Sequence, residues 1–169
     1  RWYFRSMPAM VFGPAHYGEM IMRVALKRQS THDTFIRFRF DSDSRRIVDF
    51  EGKAGETAVR YEKGTAVVYA GLGSRTEYAD HVLRTAAANA VRAVTALKRT
   101  RASMLLSNVK GAHDAAVEGA LLGNYRFDTY LSEKPPVLSS LEVISEKLTP
   151  AAVRRARHVC EGVCYARTL

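Results

Sequence analysis

The chain has 169 residues, 47% of them hydrophobic and 25% charged, with two cysteines and a formal net charge of +9. A chain of that length buries roughly 70% of its unfolded surface, so it can build a core without disulfides or metal, and no apolar run approaches the roughly 20 residues that cross a bilayer. Cys160 and Cys164 lie close together near the end; they form no secreted disulfide framework and fit a reducing, intracellular compartment.

In chain order, Arg1 to Lys27 carries several basic residues with Glu19 as its only acid. It is too aromatic and too poor in serine for a transit peptide. Met20 to Leu26 and Thr34 to Phe40 read as strands; the second sets Phe35, Ile36, Phe38 and Phe40 around Arg37 and Arg39. "DSDSRR" from Asp41 is a turn, Arg46 to Phe50 a short strand, and "EGKAGE" from Glu51 a glycine-bearing loop. Thr57 to Glu62 and Thr65 to Ala70 form a hairpin that turns near Lys63 and Gly64.

The period then changes. From Glu77 to Arg99 the apolar positions Val82, Leu83, Ala86, Ala87, Ala90, Val91, Val94 and Leu97 make one helical stripe. Ser74 and Glu77 fit a capping box at its start. Ser103 to Ser107 is a buried strand, Ala112 to Gly123 a second helix and Leu141 to Ser145 another strand. Thr149 caps a last helix, Pro150 takes its first position, and Val153, Ala156, Val159, Cys160 and Val163 form its apolar face. Alternating strands and helices from Thr65 onward predict an α/β fold: a mixed central sheet flanked by helices, three-layered and macro-domain-like.

"EGALLGNYRFDTY", Glu118 to Tyr130, is the densest stretch. Ala115, Gly119 and Gly123 recur every fourth residue. Each helical glycine costs about 1 kcal/mol relative to alanine, so the sheet or a neighbouring helix must pack very close to this row. Tyr125 and Phe127 alternate with Arg126 and Asp128 as in a strand, and Arg126 and Asp128 suit an ion pair better than catalysis.

Four segments resemble one family in the right order: "FEGKAGET" at Phe50 to Thr57, "VVYAGLGS" at Val67 to Ser74, "EGALLGNYRFDTY", and "RRARHVCEGVCYARTL" at Arg154 to Leu169. Together they are similar to the N-terminal domain of the leucyl aminopeptidases of the M17 family, over roughly Asp41 to Leu169. The resemblance implies a parent enzyme that removes N-terminal amino acids from peptides with two divalent metals, zinc or manganese. It implies a cytoplasmic hexamer, assembled mainly through C-terminal catalytic domains that hold the metal ligands and catalytic groups. No segment here resembles that domain's asparagine-threonine-aspartate-alanine-glutamate-glycine-arginine-leucine run. No catalytic, cofactor or metal residue is therefore assigned. Residues 1–148 are expected to be the non-catalytic domain, which organises the oligomer or controls access. Residues 149–169 are expected to be the helix leading to the catalytic domain. That last helix shows no glycine cap or proline stop, and its apolar face from Val159 to Ala166 is expected to need a partner surface.

Two other classes stay open. "GLGS", Gly71 to Ser74, and "EGKAGE" are candidate phosphate cradles for a macro-like module that binds ADP-ribose. Against this, the third glycine of the dinucleotide fingerprint is missing, and Asn108 stands where a ribose-binding acid is expected. Arg92, Lys98, Arg99 and Arg101 could form one basic patch for DNA, though cations at a helix C-terminus also answer its dipole. His16, His32, His81, His113 and His158 are scattered, and His158 with Cys160 and Cys164 falls short of a closed zinc site.

Overall fold

A computed structural model describes residues 22–43, 47–111, 113–126, 132–133 and 135–168. Among the described residues six strands and three helices follow one another: β1 (Arg23–Lys27), β2 (Thr34–Arg39), β3 (Thr57–Glu62), β4 (Thr65–Gly71), α1 (Asp80–Ala96), β5 (Arg101–Leu105), α2 (His113–Asn124), β6 (Ser140–Ile144) and α3 (Pro150–Thr168). The strands form one sheet in the order β1-β6-β5-β2-β4-β3. All neighbours run parallel except β3, which pairs antiparallel with β4. This is the mixed α/β sheet that the period change predicts. The hairpin turn falls where expected, with positive φ at both Lys63 (50°) and Gly64 (80°), the backbone that suits the twist of paired strands.

Alternation along each strand sorts side chains onto two faces. Ile36, Phe38, Val68, Ala70, Ala102, Met104, Leu141 and Val143 share a core with all three helices. Phe50, Val67 and Tyr69 form a smaller cluster on the opposite face, with Phe35, Ile47 and Ala58. Among the described residues, the layer over that opposite face is made of loops rather than a helix.

The glycine row has its partner. Gly119 lies against the backbone of Arg84 on α1, and a Cβ at Gly123 would come within 2.6 Å of the Ala88 Cα. The neighbour is therefore a helix, and the missing side chains let two backbones meet. Arg84 and Glu118 seal the same contact with an ion pair of 2.8 Å.

Several local readings need correction. Arg46 to Phe50 is not a strand: Ile47 and Phe50 close a single bridge around Asp49 at φ 56°, and Arg46 lies outside the described residues. Ser74 and Glu77 do not cap α1. The N-cap is Ala79, without a side-chain bond, while Ser74 Oγ accepts from Thr76 N–H. The cause is Tyr78, whose ring stacks edge-on against Phe40 at 5.3 Å and whose hydroxyl donates to the Lys110 carbonyl. That anchor keeps Ala79 extended, and the helix starts after it.

At the other end α1 stops at Ala96, short of Arg99. Lys98 N–H donates to Thr95 O, Arg99 N–H donates to Val94 O, and Lys98 sits at φ 57°. This is a Schellman ending with lysine where glycine is usual. On α3, Thr149 does cap, accepting from Ala152 N–H at 3.2 Å. Val153, Ala156 and Cys160 are buried against the core, but Val159 is 53% exposed and off that face. Tyr125 and Arg126 belong to no strand. Phe127 to Tyr130 lie outside the described residues, as do His16 and the strand start at Met20.

Candidate functional site

The two glycine loops at the strand ends come together, but they fill each other. Gly71 N–H donates to Glu56 O, Leu72 N–H to Arg39 O, and Gly73 N–H to Gly52 O, each at 2.8 Å. The Glu56 carboxylate accepts from the backbone N–H groups of Glu51 and Lys53 at 3.0 to 3.1 Å. A phosphate cradle needs such donors unspent. Here they are committed to carbonyls and to one internal carboxylate. A Cβ at Gly52 would meet Phe40 O at 2.8 Å, so these glycines serve loop-on-loop packing.

A polar cluster that the sequence reading missed lies on the sheet face opposite the helices. Glu142 on β6 is 4% exposed, and Ser103 beside it on β5 is fully buried. The loop from β1 to β2 passes over both. Thr31 donates to the Glu142 carboxylate through its N–H (2.9 Å) and its hydroxyl (2.6 Å), and Ser103 donates at 3.0 Å. Ser30 Oγ donates to Ser103 Oγ at 2.7 Å, and His32 Nε2 stands 3.9 Å from Glu142. Burial alone would raise the Glu142 pKa from its ordinary 4.5. The Thr31 donors, the Ser103 hydroxyl and the His32 ring outweigh burial and hold it at about 2. Glu142 is thus a buried anion that fixes a crossover. A lone acid inside the short apolar strand "LEVI" was the signal for it in the sequence.

His113 is buried as well. Its Nε2 faces the Val109 carbonyl at 2.9 Å and its Nδ1 faces Ser145 Oγ at 2.7 Å. A carbonyl only accepts, so Nε2 carries the proton. Ser145 Oγ already accepts from the N–H groups of Lys147 and Leu148, which leaves its proton for Nδ1. This histidine is a satisfied core group joining α2 to the turn before α3.

The other histidines stay apart: His81 is exposed on α1, and His158 sits 3.3 Å from Glu161 on α3. Among the described residues no group of three His, Cys, Asp or Glu could hold a metal ion. Burial pushes the Cys160 thiol up to about 12, and its Sγ donates to the Glu118 carbonyl; a thiol so placed is neither nucleophile nor ligand. Of the proposed basic patch, Arg99 is paired with Asp33 at 3.3 Å and Arg92 donates to Asn89 at 3.2 Å. Lys98 and Arg101 are exposed. Arg126 donates to the Gly123 and Tyr125 carbonyls.

This sheet, with its helices, is known in other proteins. The Bottromycin maturation enzyme BotP has a similar structure, with TM-score 0.68 and 27% identity over 81% of this chain and 32% of that one. A tomato leucine aminopeptidase mutant shares the fold, with TM-score 0.71 and 18% identity over 84% of this chain and 36% of that one. In sequence the chain is 34% identical to the "Probable cytosol aminopeptidase" of Syntrophotalea carbinolica over 71% of its length and 28% of that protein. It is 33% identical to that of Aquifex aeolicus over 73% of its length and 27% of that protein. It therefore spans little more than a quarter of the length of these curated relatives. No helix among the described residues is long and apolar enough to cross a membrane. The model of the cytosol aminopeptidase family, N-terminal domain, matches residues 42–134, and by that match the chain belongs to the cytosol aminopeptidase family as its N-terminal domain.

Proposed function

We propose that this chain is the non-catalytic domain of a cytoplasmic, hexameric metallo-aminopeptidase that removes N-terminal amino acids from peptides. Its task is to organise the oligomer and to control access to a C-terminal catalytic domain, which carries two divalent ions, zinc or manganese. The observation that carries this reading is the family match over residues 42–134. BotP, a structural relative, has been solved in complex with Mn.

Among the described residues the least exposed carboxylates are already spent on other partners. Glu142 is saturated by hydroxyl and N–H donors, Glu118 is bound to Arg84, and Glu56 is bound to its own loop. No catalytic step is therefore assigned to this chain. Residues 149–169 act as the connecting helix. α3 buries one narrow stripe against α2 and leaves a second open, with Val159 exposed, Val163 half-buried and nothing within 4 Å of a Cβ at Gly162. Spaced at i, i+3 and i+4, these residues suit a further packed surface.

The test uses the full-length protein and its catalytic portion produced without this domain. Both should bind the same number of metal ions, while sedimentation velocity over a dilution series should show the hexamer dissociating at higher protein concentration when the domain is absent. Hexamers of equal stability with and without the domain would overturn the organising role. Metal-dependent hydrolysis of a leucine anilide by this chain alone would overturn the non-catalytic one.

A further inference from the structure

Arg39 differs from the arginines that reach a carboxylate. Arg37 reaches Glu62, Arg60 reaches Asp49, Arg75 reaches Asp43 and Arg84 reaches Glu118. No carboxylate of the described residues pairs with Arg39, and its Nε is buried without an acceptor. Its guanidinium lies 5.8 Å from the centre of the Tyr69 ring, and that ring is 5% exposed. A buried N–H without an acceptor is costly, and contact with a ring offsets only part of that cost.

The position is also telling. Arg39 ends β2, opposite Gly71 on β4, while β5 reaches only to Leu105 opposite Arg37. The chain leaving β2 runs towards β3 and the chain leaving β5 runs towards β6, so the connections part at this point of the sheet. The loop from Gly52 to Glu56 fills the strand ends here, so a ligand at this point is met by side chains on the sheet face rather than by backbone. Arg37 lies two residues back on the same face, and its hold on Glu62 is loose at 3.8 Å because Tyr69 takes that carboxylate at 2.8 Å.

We propose that Arg39, assisted by Arg37, binds an oxyanion on the sheet face opposite the helices. The group recognised is a carboxylate or a phosphate, which match the guanidinium edge in shape and charge. This site is independent of the aminopeptidase reading, because it rests on β2 and Tyr69 alone.

The test is a titration of the isotope-labelled chain with sodium phosphate, sodium acetate and sodium chloride at matched ionic strength. Arginine Nε–H resonances are followed by NMR, and Arg39→Lys, which keeps the charge, identifies the Arg39 signal by its loss. The Arg39 signal should shift saturably, with a midpoint on the order of 1 mM, in phosphate, in acetate or in both, and not in chloride. Saturation by phosphate alone assigns a phosphoryl ligand. Saturation by acetate, with or without phosphate, assigns a carboxylate. A signal that moves with none of the three salts, or equally with all, overturns the site. So does an unchanged saturable response of the Arg37 signal in Arg39→Gln.

Discussion

The two faces of the sheet are stabilised by different means. On the helix face, Ile36, Phe38, Val68, Met104 and Val143 meet an almost unbroken apolar surface, and α1 touches α2 through glycine. On the other face a charged carboxylate is buried under hydroxyls, arginines lie against aromatic rings, and loops do the covering. Dispersion and exclusion of water hold the first face, and its weak point is volume. Directed hydrogen bonds hold the second, and its weak point is loss of an acceptor.

The largest test of that contrast is Gly119→Val. Its side chain would fall on the Arg84 carbonyl, and the cost should be about 3 kcal/mol or more, since overpacked backbone contacts cannot relax. Urea unfolding measures it; a loss under 1 kcal/mol would mean that α1 and α2 can separate freely. Asn124→Ala comes next. The Asn124 side chain both accepts from Leu138 N–H (2.7 Å) and donates to Leu138 O (2.9 Å) in the core, so its removal should cost about 2–3 kcal/mol.

Glu142→Gln should cost about 2 kcal/mol, because an amide NH2 would face the Thr31 or Ser103 donors. The contrast sharpens with pH. The folded pKa of Glu142 (about 2) lies below its ordinary 4.5, so its stabilisation is complete above about 4.5 and is lost as pH falls towards about 2. Chain and variant should therefore approach equal stability over that window, followed by circular dichroism. A gap that stays constant to pH 2 would contradict the buried anion.

Lys98→Gly should act in the opposite direction and stabilise by about 1 kcal/mol, since Lys98 is held at φ 57°. Arg155→Ala should change stability by less than about 0.5 kcal/mol, because its pairing with Asp114 is long (3.4 Å) and wet. A larger effect would give surface charge a role that neither face predicts.

The strands, the helices and the family were legible in the sequence because each leaves a local trace. Period-two runs gave β2, β3 and β4, the apolar stripe gave α1, and Thr149 followed by Pro150 marked the start of α3. The small-residue row predicted close packing, though not whether helix or sheet would supply it. The errors fall where a distant residue overrides a local rule. Ser74 and Glu77 spell a cap, but Tyr78 is drawn to Phe40 and Lys110 and delays the helix. "GLGS" spells a phosphate turn, but the loop from Gly52 to Glu56 takes its donors. Val159 fits the apolar stripe of α3, yet α2 covers only the sector through Val153, Ala156 and Cys160.

By itself the sequence determined most of the elements and the α/β class, since periodicity acts over a few residues, and its four ordered segments carried the family. Only the tertiary structure decided that the glycine loops close on each other, that Glu142 is a buried anion and that the Arg39 Nε is buried without an acceptor among the described residues. Those properties depend on which groups from far along the chain come within about 3 Å, the reach of a hydrogen bond, and no local pattern records that.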